Sequence, residues 1–207
     1  MTRPTCALIL ALACVSAPAA ATDLTLLLGW QYNEDMEISD PPPAGTPGKA
    51  GDTVRMDDAA AYTAALDFPL PQDPDTRLGL LLTHSETQIG SKAGLGDDNL
   101  GITHVHFTGM RYYPTGAWEP FVMAGIGAAY FDPDDATLDS TTRASAHIAA
   151  GTNFNFAQHT LLRLEARWIG TFFDSRGSAI CSNGCAVAFE SDLYSQVQLN
   201  IGLQFRF

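Results

Sequence analysis

The chain has 207 residues and a formal net charge of -12, with 11 Lys and Arg against 23 Asp and Glu. That length suits one domain. The acidic balance excludes a nucleic-acid protein, because phosphate binding needs clustered basic side chains.

Residues 1–21 read as a targeting signal peptide. Arg3 gives a positive start, CALILALACV a short apolar run, and SAPAAA small residues for cleavage after Ala20 or Ala21. The run is shorter than the roughly 20 residues a spanning helix needs. A lipoprotein signal ending at Cys14 is the alternative, but Ala11 stands where such signals carry Leu. Residues 22–207 are then expected as one exported domain.

From Leu24 onward the hydrophobic pattern has period two, the mark of a strand with two different faces. The first strand, about Leu24 to Tyr32, sets Leu24, Leu26, Leu28, Trp30 and Tyr32 against Thr25, Leu27, Gly29 and Gln31. A Pro- and Gly-rich stretch up to Asp58 reads as a loop. The second strand carries Ala60, Tyr62, Ala64, Leu66 and Phe68 on one face, and PLPQDPD reads as a compact turn. In the third, Leu78, Leu80 and Leu82 oppose Arg77, Gly79, Leu81 and Thr83. In the fourth, Thr103, Val105 and Phe107 oppose His104, His106 and Thr108.

The fifth strand sets Val122, Ala124, Ile126, Ala128 and Tyr130 against Phe121, Met123, Gly125, Gly127 and Ala129. The sixth sets Ala144, Ala146, Ile148, Ala150 and Phe154 against Ser145, His147, Ala149, Gly151 and Asn153. The seventh sets Leu162, Leu164, Ala166 and Trp168 against Arg163, Glu165, Arg167 and Ile169. The eighth ends the chain, with Val197, Leu199, Ile201, Leu203, Phe205 and Phe207 opposing Gln198, Asn200, Gly202, Gln204 and Arg206.

Eight such strands joined by alternating long loops and short turns predict an all-β antiparallel up-and-down meander. A soluble sandwich and a transmembrane barrel both fit alternation, with opposite faces to solvent. Strand length, the asymmetry of the connections, the even strand count and the aromatics at strand ends favour an eight-stranded transmembrane β-barrel. The aromatic set is Trp30, Tyr32, Phe68, Tyr112, Tyr113, Trp118, Tyr130, Phe154, Trp168, Phe172, Phe205 and Phe207.

The terminal GLQFRF, the FDP after the fifth strand, RLEAR on the seventh and the CSNGC loop resemble the small eight-stranded outer-membrane β-barrel family of Gram-negative bacteria. That family includes the membrane domain of outer-membrane protein A and the opacity-type, porin-like proteins. The resemblance covers the mature chain and implies residence in the cell outer membrane among lipid and lipopolysaccharide. It also implies that the C-terminal strand, with Phe205 and Phe207, is the signal read by the barrel-assembly machinery.

Arg163, Glu165 and Arg167 share a face, which must be the lumen, because an Arg facing lipid at mid-bilayer costs about 2–4 kcal/mol. With Arg77, Gln204 and Arg206 they are expected to form a polar network that plugs the interior. A narrow pore for ions or small solutes is the alternative. His104, His106 and His147 are expected inward as hydrogen-bonded lumen residues. No metal or cofactor is expected, since the fourth and sixth strands are not neighbours and no carboxylate completes a site.

An enzyme acting on lipid A is also weighed. His84, Ser85 and Glu86 are the tempting trio, but adjacent strand residues point to opposite faces, so no nucleophile–base dyad forms. No catalytic residue is assigned. Cys181 and Cys185 are expected to pair as a disulfide in the exported chain, with two free thiols as the alternative. The acidic external loops are expected to give a solvated rim, with cation, lipopolysaccharide or partner binding as the functional options. The overall expectation is a structural or surface-interaction role.

Overall fold

The computed structural model describes residues 22–37, 53–91, 98–134, 140–173 and 193–207. These form β1 (Asp23–Asn33), β2 (Met36–Glu37), β3 (Thr53–Met56), β4 (Ala59–Leu70), β5 (Asp73–Ser91), β6 (Asp98–Tyr112), β7 (Trp118–Pro133), β8 (Thr141–Ala157), β9 (Thr160–Phe172) and β10 (Leu193–Arg206). Targeting residues 1–21 and the cysteine pair Cys181 and Cys185 lie outside the described residues.

Eight of the ten strands close a cylinder. Each long strand pairs antiparallel with its neighbour in sequence, and β1 pairs with both β4 and β10. The last pairing runs from Asp23↔Arg206 to Asn33↔Gln196 without a break. Closure matters because an open edge in hydrocarbon would leave backbone N–H and C=O groups unsatisfied. The chain is therefore a closed eight-stranded antiparallel β-barrel, as the period-two pattern predicts.

The faces also fall as that pattern predicts. Leu26, Leu28, Leu78, Leu80, Leu82, Val105, Val122, Ile148, Leu199 and Ile201 are exposed on the outer wall, and Phe107 and Ile126 reach 71% and 70%. Arg, Glu, His, Gln and Asn side chains are buried within. So large a continuous apolar belt is not a water-facing surface; it is the belt that hydrocarbon covers. Trp30, Tyr32, Tyr62 and Tyr130 stand toward the loop end of the wall. Phe68, Tyr113, Trp118 and Phe207 stand toward the end of the turns, and all eight are exposed.

Three details depart from the sequence expectations. First, the stretch expected to be only loop contributes β2 and β3. Strand β5 continues past the end of β4, and β3 takes up its free edge through Val54↔Ser91 to Met56↔Ile89. Second, most of PLPQDPD is strand. Pro69 still pairs with Arg77, a register shift follows, and only Pro71 and Gln72 turn. Pro74 lies in that irregularity, where its missing N–H removes no ladder bond. Third, Tyr112 is not part of an aromatic girdle: it is buried inside, where its hydroxyl donates to Gln204 Oε1 at 3.2 Å.

Candidate functional site

The interior is built in layers of inward-facing side chains. At its middle, β9 presents Arg163, Glu165 and Arg167, with exposures of 2%, 4% and 1%. Period two puts all three on one face, and the central carboxylate pairs with both guanidinium groups. Arg163 donates to Glu165 Oε2 from Nε at 3.0 Å and from Nη2 at 2.7 Å. Arg167 Nη2 donates to Glu165 Oε1.

Each Arg is also held from across the lumen. Arg163 lies 4.0 Å over the Phe121 ring and touches the Met110 and Met123 sulfurs. Ala65, Leu81, Tyr112 and Ala149 complete an apolar collar at this level. Arg167 Nη1 donates to Thr83 Oγ1 at 2.9 Å, Gln198 Oε1 at 3.1 Å and Thr63 Oγ1 at 3.4 Å. Strands β4, β5 and β10 are thereby joined to β9 through the centre of the barrel.

The sequence groups Arg77, Gln204 and Arg206 with this trio, but all three belong to a separate layer at the turn end. There Asp23 is the hub. It pairs with Arg77 at 3.0 Å and Arg206 at 3.5 Å, and accepts from Gln204 Nε2 at 2.5 Å. Arg206 makes a two-pronged contact with Glu119 at 2.9 and 3.2 Å. Asn153 Nδ2 donates to Gln204 Oε1 at 2.9 Å. The eighth strand's contribution to the middle layer is Gln198, six residues earlier than Gln204.

Toward the loop end lie the histidines. His104 and His106 stack with centroids 5.6 Å apart, and His106 meets His147 at 4.7 Å. The His106 and His147 Nδ1 atoms are 3.1 Å apart, and His106 Nε2 is 2.7 Å from Ser145 Oγ. The sequence expectation kept these residues apart, because β6 and β8 are separated by β7. Gly125 and Gly127 on the inward face of β7 overturn that. A Cβ on Gly125 would lie 2.4 Å from His147 Cε1, and one on Gly127 would lie 2.8 Å from His106 Cδ2. The two imidazoles meet over a strand that has no side chains there.

Above them Asn33 gathers the loop end. Its Oδ1 accepts from Gln31 at 2.8 Å and from Tyr194 and Gln196 at 3.0 Å.

On the outer wall, His84 Nδ1 is 2.9 Å from Thr103 Oγ1 and His84 Nε2 is 3.8 Å from Glu86 Oε1. Ser85 is buried on the opposite, luminal face. The three therefore make no nucleophile–base pair. Phe205 is half-buried between β1 and β9, opposite Leu24 and Thr160. Phe207 is exposed, its N–H donating to the Thr22 carbonyl at 3.1 Å.

Sequence reasoning missed Asp23, Glu119, Asn153, Thr63 and Thr83. Alternation carried a signal for Asp23, which shares a face with Thr25 and Leu27.

No family model matches the chain, and no curated protein matches it in sequence. Solved structures match its shape. Neisserial surface protein A aligns with a TM-score of 0.58 at 7% identity, over 90% of this chain and 97% of its own. The outer membrane protein OprG from Pseudomonas aeruginosa aligns with a TM-score of 0.57 at 11% identity, over 91% and 96%. The fold is that of the small eight-stranded outer-membrane β-barrels. The outer membrane protein AlkL, determined by solid-state NMR in DMPC lipid bilayers, aligns with a TM-score of 0.57 at 13% identity, over 91% and 90%. An eight-stranded barrel has an interior just wide enough for side chains to fill.

Proposed function

We propose that this chain is an outer-membrane β-barrel of a Gram-negative bacterium with a structural or surface-interaction role. Its lumen is plugged by its own side chains, and its acidic loops face outward. The observation that carries this reading is the buried Arg163–Glu165–Arg167 ladder. It is bonded to side chains from three other strands, with a second charged layer around Asp23 beneath it. Moving these charges aside would leave buried ions unpaired, at a cost of several kcal/mol for each.

In this reading residues 1–21 are removed on export. Lipid and lipopolysaccharide surround the apolar belt, and the barrel-assembly machinery reads Phe205 and Phe207. Cys181 and Cys185 form a disulfide in the loop after β9. Catalysis is no part of the proposal, which the divergence of His84 and Ser85 supports. Planar-bilayer recording with the purified barrel tests it. The expected record has no large, stable conductance; a steady open channel in the wild type would overturn the plug. Lipid A from expressing cells should keep its acylation pattern by mass spectrometry.

A further inference from the structure

We propose that the outer wall across β6 to β10 holds one diacyl phospholipid with a zwitterionic ethanolamine headgroup, taken from the leaflet at the turn end. The site rests on the reading of the chain as an outer-membrane barrel and deepens it. Most of the belt meets bulk lipid, and this stretch is shaped for a single molecule.

The first observation is shape. Gly109, Ala124, Ala150 and Ala166 face outward and are exposed, where Leu, Ile, Val or Phe stand elsewhere on the belt. They floor a hollow of about 770 Å³ that Val122, Ile148, Trp168 and Val197 also line. A second hollow of about 450 Å³ adjoins it at Ala150 and Ala166, edged by Thr152, Leu164, Leu199 and Ile201. Both volumes lie in the range of sites that hold small molecules. Two joined hollows suit two acyl chains on one headgroup.

The second is reach. Paired residues lead from Arg111 through Val122, Ala150 and Ala166 to Leu199, whose partner Trp30 belongs to the loop end. From Arg111 to Leu199 that row crosses four strand spacings of about 4.8 Å, roughly 19 Å. At a strand tilt of about 45° it climbs roughly 13 Å, close to one leaflet of a hydrocarbon core about 30 Å thick.

The third is the polar end. Arg111 lines the foot of the larger hollow and is half exposed. Its hydrogen bonds to Asp73 and Thr76 both leave from Nη1. The rest of its five-donor fork is left for a phosphate. Exposed Asp75 stands beside Asp73, its backbone N–H donating to that carboxylate. One Arg with two Asp carries a net negative charge, which disfavours an anionic lipid and matches a headgroup that adds an ammonium to its phosphate. In the smaller hollow, Thr152 Oγ1 is buried with no hydrogen-bond partner among the described residues. An ester carbonyl of the lipid would accept from it.

The test uses the tag-free full barrel, folded in detergent and titrated with palmitoyl-oleoyl phosphatidylethanolamine or the matching phosphatidylglycerol, read by native mass spectrometry. One phosphatidylethanolamine per chain is expected before any further lipid, held about 10-fold more tightly than phosphatidylglycerol. Arg111→Gln should weaken that first step about 10-fold and erase the headgroup preference. Ala150→Phe with Ala166→Phe should abolish the step by filling the floor, and apolar side chains on a lipid-facing wall leave the fold intact. Leu66→Phe, on the wall at β4, should change nothing.

Equal binding of the two headgroups, or a continuous lipid series without a first one-to-one step, would overturn the site. So would a first step that survives the double substitution in a folded barrel. The wild-type titration decides the matter even where a variant fails to fold. Recovery of the chain outside outer-membrane fractions would instead overturn the reading beneath it, so the two can fail separately.

Discussion

At the scale of single residues, Glu165 is shared by two fully buried cations, Arg163 and Arg167. Removing it would leave Arg163 and Arg167 as like charges in a space with no solvent to screen them. Breaking a buried pair by deleting one partner costs about 3–5 kcal/mol. Glu165→Ala should therefore lower the unfolding free energy of the barrel by that much, read from urea titration followed by tryptophan fluorescence in lipid vesicles. Glu165→Gln keeps the shape and two acceptor lone pairs, and should lose less. Equal loss in both would mean that charge, rather than hydrogen bonding, carries the interaction.

At the scale of elements, the turn end has a device of its own. Asp73 at the start of β5 accepts from Thr76 Oγ1 at 2.8 Å and from Arg111 Nη1 at 2.5 Å. The Thr76 hydrogen bond, then that of Arg111, holds its carboxyl below the usual carboxylate range. A carboxyl depressed by folding contributes stability above its ordinary range, and that contribution fades as pH falls through the folded value. Asp73→Asn should thus unfold at a lower temperature than wild type near neutral pH, and the gap should close in acid. The effect should be small, since the pair is exposed.

The terminal strand makes a sharper prediction. β10 closes the cylinder onto β1, and Phe207 ends it as an exposed ring beside Thr22. Phe207→Asp should reduce the heat-modifiable barrel recovered in outer-membrane fractions severalfold, with little effect on refolding in detergent. Undiminished membrane levels would refute a role for that ring in insertion.

At the scale of the whole molecule, the plug is a property of several layers together. Replacing Arg163, Glu165 and Arg167 with Ala at once removes the central ladder without leaving an unpaired member. The triple variant should fold and show brief conductance steps that the wild type lacks. Its turn-end layer, with Asp23, Arg77, Arg206 and Glu119, should keep those steps small.

The cylinder and the sidedness of its strands were legible in the sequence, because one apolar belt forces strict alternation from Leu24 to Phe207. What lay beyond reach was contact across the interior. Gln198 rather than Gln204 meets Arg167, since register is set by pairing and not by adjacency of strands. Tyr112 turned inward because its position on β6 shares the face of His104 and His106, which outweighs the preference of an aromatic for an interface. The His106–His147 meeting needed two glycines on a third strand to be read as space rather than as weak strand formers.

The wall of the cylinder is not level. β4 begins at Ala59, level with Thr87 in the register set by Ala61↔Ser85, while β5 runs on to Ser91, four residues further at the loop end. At about 3.4 Å per residue, that is roughly 14 Å of strand before tilt. β6 accompanies it with pairs up to Ile89↔Asp98, and β3 guards its other edge. Among the described residues the wall thus carries a stiff mast at β5 and β6 and stands lower at β4, β1 and β10. The mast offers an arriving antibody, phage fibre or neighbouring cell a rigid point of contact. A short epitope tag placed at its tip should be bound on intact cells more readily than one beside β4.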